Sequence, residues 1–375
     1  MSTPMDRRAI RRQQQDDQVQ NIIDTIADPG DQLDAISKIR GWYNPHSTAN
    51  LIIKQYLSDD LSLSDTVTQL ANPIDDLFTS GDNGWSAYTQ EKTARHQREH
   101  FPEDAEQWWG VEQDIPKPDE GSENDHVSTE GALWTLWYAV VHSARKLFWR
   151  DNDDGSTGSS QTALLELVRA LKARPDPPLP PHLTVPMQRD WVYASGATLW
   201  SNLLLLGPSF RESWNDSPGC GAGWSKPEVE AWINAEAFVA RLTVCGVKKF
   251  WNYGVWALRD GLEERPNSIY FRPEREEEVL DCYVTAAAVW VVIAGKEMWE
   301  FVERDRDFET RYGLDEALPK LPWEGDGVWT RVRWRYWKEK FESVAQRPGL
   351  VSSTKQIIGE ALKCMEAVES QRQVS

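Results

Sequence analysis

Apolar residues recur along most of this chain at the three- and four-residue spacing of a buried helix face. Val19, Ile22, Ile23 and Ile26 form one such face, and Pro29-Gly30 ends it. Leu33, Ile36 and Ile39 continue in a second short helix, and Leu51, Ile52, Tyr56 and Leu57 in a third. Ser64-Asp65 opens a fourth with Val67 and Leu70, which Pro73 should cut off. Residues 130–149 place Leu133, Trp134, Trp137, Val141, Ala144 and Phe148 on one stripe. Further helices are expected over 162–172, 188–206, 227–246, 248–263, 276–303, 328–346 and 354–369. In 328–346 the expected face is Trp329, Val332, Tyr336, Trp337 and Val344. Period-two alternation and fixed-length repeats are both missing from the pattern. The fold class expected is all-α, built of packed helical hairpins as a multi-helix bundle or a solenoid-like array.

Two stretches break the periodicity. Residues 103–130 hold ten acidic residues and one lysine, with Pro116, Pro118 and Gly121, the composition of a solvated linker or surface loop. Residues 175–186 include six prolines, a stiff connector. The organisation expected is an N-terminal short-helix region (1–102), an acidic linker or surface loop (103–129), a helical core (130–347) and a C-terminal helix (348–375).

Composition narrows the function classes. The 20 tryptophans and 40% hydrophobic residues among 375 are not those of a disordered chain. With 41 Lys+Arg against 59 Asp+Glu, the net charge of −18 makes a nucleic-acid partner unexpected except at a local patch. Val284–Ala294 is the most apolar stretch, short of the roughly 18 residues a span needs, so a core helix and no membrane partner are expected. The first twenty residues are polar and charged, unlike a secretory signal. Cys220, Cys245, Cys282 and Cys364 are scattered, as reduced thiols of a cytoplasmic or nuclear protein would be.

Several motifs carry a familiar resemblance. Trp232-Ile233-Asn234-Ala235-Glu236-Ala237-Phe238-Val239-Ala240-Arg241-Leu242 resembles the W-x-N-x-x-A-F-x-A-R-L helix of DUF3632, a fungal family of unknown function. Val255-Trp256-Ala257-Leu258-Arg259 and Ala286–Gly295 are similar to its next two motifs. Leu321-Pro322-Trp323-Glu324-Gly325, followed by Arg333-Trp334-Arg335-Tyr336-Trp337-Lys338-Glu339-Lys340-Phe341, resembles its closing L-W-x-G and R-W-x-x-W-K-x-R-F signatures. The family often has further W-N-x-N variants where Ala235 and Glu236 stand here. The resemblance covers residues 130–347 and implies an intracellular fungal helical protein, with no activity attached.

Candidate chemistry is sparse. His96-Gln97-Arg98-Glu99-His100 matches H-x-x-E-H, in which two histidines one turn apart can ligate zinc. Nothing else in the chain resembles such a peptidase, so no metal or cofactor is expected. Asp75-Asp76-Leu77-Phe78 and Asn124-Asp125-His126-Val127-Ser128 are fragments of the magnesium motifs of terpene cyclases, but Ala132 stands where the second needs a glutamate. Gly219–Gly223 could cradle a phosphate ahead of a helix. With no preceding strand and no following Lys-Ser/Thr, it reads better as a flexible connector. Arg331, Arg333, Arg335, Lys338 and Lys340 interleave with Trp334 and Trp337. That pattern grips single strands in some proteins and here fits a helix whose cations pair internally.

Arg241 and Arg259 lie on strongly apolar helices and must each meet a carboxylate or a bound anion. Glu212, Glu236 and Asp260 are the internal candidates. Two functional expectations follow. One is a module that presents a groove to a protein partner. The alternative is a small-molecule binding protein or enzyme with a Trp-lined pocket, comprising Trp232, Asn234 and Trp256 with Arg241 or Arg259 as its anchor.

Overall fold

The computed structural model describes residues 4–43, 45–80, 129–150, 161–178, 198–263, 276–303 and 329–370, with side chains from Ile10 onward. Among these residues there are twelve α-helices and no strand, so the fold is all-α. The helices are α1 (Pro4–Thr25), α2 (Pro29–Arg40), α3 (Thr48–Leu57), α4 (Leu63–Ser80), α5 (Thr129–Lys146) and α6 (Gln161–Ala173). They continue with α7 (Leu206–Trp214), α8 (Lys226–Val244), α9 (Trp251–Leu262), α10 (Glu276–Glu303), α11 (Arg331–Ala345) and α12 (Ser352–Ser370). The chain divides into two compact units. One comprises residues 1–45, 141–169 and 211–375, the other 46–140 and 170–210.

In the first unit α10 is the central element, and α8, α9, α11 and α12 pack directly on it. Its 28 residues are apolar on most faces, as a helix surrounded by others must be. Glu276, Glu277 and Glu278 sit in its first turn, where the helix dipole favours negative charge. By length and composition α10 could cross a membrane, but 67% of its apolar window is buried inside the fold. Glycines set the spacing between α9 and α10. A Cβ at Gly254 would lie 2.8 Å from the Trp290 ring, and one at Gly261 would lie 2.6 Å from the Tyr283 carbonyl oxygen. These positions are seven apart on one face of α9 and let the two backbones approach closely. The α1–α2 hairpin packs against α8 through α2. In α2, Asp28 caps the N-terminus by accepting from the Asp31 amide at 2.8 Å. Gly41 closes the other end at φ 72°, donating its N–H to Ser37.

In the second unit α3 packs on α4. Pro73 does not end α4, which continues through it to Ser80. An interior proline costs about 3 kcal/mol, but Pro73 is exposed and the apolar face continues past it into buried Ile74 and Phe78. Each of those side chains contributes about 1.5–3 kcal/mol on burial, enough to offset the break. The Trp137 indole donates to the Leu204 carbonyl. Asp75 accepts from the Trp200 indole at 2.7 Å and from Arg174 Nε at 2.7 Å, so the first of the magnesium-motif fragments is a packing joint.

The expected helix over 188–206 fails at its end. Residues 199–205 form turns, with Leu203 at φ 47° and Leu205 at φ 63°, and a helix begins only at Leu206. Leu203, Leu204, Leu205 and Leu206 are all buried, so consecutive residues face the interior, which no single helix stripe allows. Smaller corrections follow the same logic. Leu51 and Phe148 are exposed, not part of buried stripes, and Phe148 lies beyond the end of α5. Val332 is 61% exposed; the buried face of α11 is Arg333, Trp334, Trp337 and Phe341.

Candidate functional site

The five residues singled out from the sequence fall on different sides of α8 and α9. Asn234 and Arg241, seven apart on α8, face a polar clamp. The Asn234 side chain donates to the Arg145 carbonyl at 3.1 Å and accepts from the Trp149 amide at 3.1 Å. Arg241 donates to Gln161 Oε1 at 2.8 Å and to the Trp149 carbonyl at 2.6 Å. Gln161 completes the circuit by donating to the Asn234 carbonyl at 2.8 Å. Residue 149, just past α5, is thus held by both its N–H and its C=O. Arg241 is thus met by a side-chain amide and a backbone carbonyl. Arg259 is met by one of the expected carboxylates, its neighbour Asp260, at 3.1 Å.

Trp232 and Trp256 join an aromatic cluster on the other side. The Trp214 ring lies 5.7 Å from Trp232, 4.4 Å from Tyr253 and 6.4 Å from Trp256, each edge-on. Tyr283 of α10 extends the cluster from Trp232 at 5.2 Å, and Arg211 lies 5.5 Å over the Trp256 ring.

One turn along α8 from Trp232 is Glu236, expected from the sequence as a partner for arginine. Its side chain is fully buried. Oε2 accepts from the Trp290 indole at 2.7 Å, and Oε1 has no hydrogen-bond partner among the described residues. Burial pushes its carboxyl well above the usual glutamate range; the Trp290 hydrogen bond opposes this and the Asp260 carboxylate adds to it. Burial also raises the Tyr253 phenol.

A second buried glutamate is handled differently. Glu263 Oε1 accepts from Arg333 Nε at 2.8 Å and from the Trp337 indole at 2.8 Å. Arg333 Nη2 is also 2.8 Å from that oxygen, outside hydrogen-bond direction. Three more cations of α11 find internal contacts: Arg331 meets Glu303, Lys338 meets Glu369, and Lys340 lies over Tyr336; Arg335 is exposed.

At the start of α8 the Gly-rich stretch is a pinned turn, not a loose connector. Arg12 donates to the carbonyls of Cys220 and Ala222, and the Trp42 indole to that of Gly221 at 3.3 Å. The position a phosphate would take at the helix N-terminus is filled from within. Glu228 accepts from the Gly223 amide at 2.8 Å and the Ser225 hydroxyl at 2.7 Å, and pairs with buried Arg40 at 2.7 Å.

Buried Ser37 and His142 form a further chain with half-buried Asp34. His142 Nε2 is 2.6 Å from Asp34 Oδ1, and Nδ1 is 3.3 Å from Ser37 Oγ. Burial holds the His142 pKa below its usual value, against the pull of Asp34. Ser37 is fully buried, so the trio ties α2 to α5 without presenting a nucleophile. His96, Glu99, His100 and Asn124–Ser128 lie outside the described residues. Among those described, no three His, Cys, Asp or Glu side chains converge as a metal site.

Among the described residues, an open concavity with apolar walls is a cleft of about 370 Å³ between the α1–α2 hairpin, the end of α5 and the first turns of α8. Ile23, Leu33, Phe148 and Ala231 line it, with Lys226 and Glu230 among its charged residues. Phe148 is 51% exposed there. Lys226, with 85% of its side chain exposed, holds Glu230 only at 3.6 Å.

Trp232, Asn234, Arg241, Trp334 and Trp337 are thus all built into packing. The sequence profile described as "Protein of unknown function (DUF3632)" matches residues 137–341, more than half of the chain. The chain belongs to the DUF3632 family. No curated protein and no solved structure matches it significantly. In this DUF3632 chain the match spans both the polar clamp and the aromatic cluster, whereas the α1–α2 wall of the cleft precedes it.

Proposed function

We propose that this DUF3632 protein is an interaction module of the cytoplasm or nucleus that takes an apolar side chain of a protein partner into the cleft beside Phe148. The observation that carries this reading is the cleft: open, about 370 Å³, apolar on the walls formed by Ile23, Leu33 and Ala231, with a half-exposed phenylalanine at its edge. Lys226 stands on its rim with its ammonium in solvent. The partner segment that fits therefore carries an apolar residue next to a carboxylate. The alternative, an acidic small molecule anchored by Arg241 or Arg259 against Trp232 and Trp256, has weaker support, because both guanidinium groups have internal partners.

The test is selection of a displayed random-peptide library on the protein, with Phe148→Asp as the counter-target. Enrichment of sequences pairing an apolar residue with Asp or Glu, lost on Phe148→Asp and weakened on Lys226→Glu, is the expected result. No enrichment, or equal enrichment on Phe148→Asp, would overturn the reading.

A further inference from the structure

Glu236 has a chemistry that packing alone does not explain. Transfer of an ionised carboxylate to a site without water or a counter-charge is so unfavourable that the group takes up a proton instead. Here the carboxyl is fully buried between α8 and α10, with one hydrogen bond, from Trp290, and one oxygen unpartnered among the described residues. The titratable groups coupled to it offer no compensation. Asp260 on α9 is a like charge, and Tyr253, also on α9, is a buried phenol that in turn feels Arg211 and Glu212 of α7. From α10 the nearest polar partner is the Trp290 indole. On α8 itself, Glu228 lies two turns earlier and is already neutralised by Arg40 of α2.

We propose that Glu236 is a proton-operated latch: the α8–α9–α10 contact closes with one proton held on this carboxyl and releases that proton when it opens. The closed state has the neutral acid accepting the Trp290 indole beneath the Trp214, Trp232, Tyr253 and Trp256 cluster. In the open state the carboxylate reaches water and ionises as an ordinary glutamate. A group whose folded pKa is raised stabilises the fold below its unfolded value. That contribution falls away as pH climbs from the unfolded value, about 4.3, to the raised folded one. Above the folded value the closed form is ionised too, and the slope ends.

The test compares amide hydrogen exchange in α8, α9 and α10 between the full-length protein and Glu236→Gln, a neutral near-isostere, across pH. The ratio of wild-type to variant exchange rates should rise about tenfold per pH unit within that window and flatten above it. A pH-independent ratio would overturn the latch. If Glu236→Gln fails to fold, infrared spectroscopy of Asp216→Asn decides, since burial raises that carboxyl too. At about pH 6, where exposed carboxyls are ionised, a protonated-carboxyl carbonyl band should persist in that variant and vanish on further alkalinisation; its absence would overturn the proposal.

Discussion

Replacing Arg333 by Met tests how this family's last helix is held. Arg333 is almost completely buried on α11 and shares Glu263 Oε1 with the Trp337 indole, each at 2.8 Å. Its guanidinium also lies 5.1 Å over the Trp337 ring. Glu263 caps the C-terminus of α9 and is equally buried, so Arg333→Met strands a carboxylate with one neutral donor. Removing one partner of such a pair costs about 3–5 kcal/mol, whereas replacing both with apolar groups of similar volume is often neutral. Urea denaturation should therefore show a loss of about 3–5 kcal/mol for Arg333→Met. The double variant Arg333→Met/Glu263→Leu should recover most of it, though not the part owed to the Trp337 indole, about 1 kcal/mol. A single-variant loss below about 1 kcal/mol, or a double variant no better than the single, would refute the reasoning.

Four further outcomes follow from local geometry. Pro73→Ala restores an amide to the exposed side of α4 and should raise the melting temperature, by up to about 3 kcal/mol of stability. Gly261→Ala drives a methyl into the Tyr283 carbonyl and should cost about 1–3 kcal/mol, while Gly359→Ala, in open space on α12, should gain about 0.5–1 kcal/mol. His142 has its folded pKa depressed by burial, so its contribution is present above its unfolded value of about 6.5 and lost as pH falls below it. Melting curves of His142→Phe should show that acid-side slope flattened relative to wild type.

The helices of the central bundle were legible because their apolar residues repeat on several faces, and that signal needs no knowledge of neighbours. Arg241 was legible as a group that needs a partner. The partner was not, because Gln161 and the Trp149 carbonyl lie 80 and 92 residues away and one of them is backbone. Val332 and Arg333 exchanged expected places for a related reason. An arginine is assigned to solvent by default, and Glu263, 70 residues distant, helps make the inward rotamer favourable. The failure at Leu203 and Leu205 is of another kind. Left-handed backbone at leucine carries no local sequence mark, and a run of four leucines fits a helix and a buried turn equally well. His142 did leave a trace, a lone imidazole in an apolar helix, yet its partners Asp34 and Ser37 belong to α2, more than a hundred residues earlier.

Glu263 and Glu236 show why burial alone does not define a role. Both stand among tryptophans, and both accept an indole N–H at 2.7–2.8 Å. Glu263 has a guanidinium in contact, so its charge is compensated and its geometry fixed. Glu236 lacks such a cation among the described residues and faces a like charge in Asp260. If accepting the Trp290 indole were its whole task, glutamine would do the same without a pH-dependent loss of stability. A carboxyl at this position adds a proton equilibrium to the contact between α8 and α10. That equilibrium is set beneath the aromatic cluster and on the face of α8 opposite the clamp of Asn234 and Arg241. The clamp is built from amide, guanidinium and carbonyl groups, so a rise in pH above about 4.3 should loosen the Glu236 side of α8 before the side that carries the clamp.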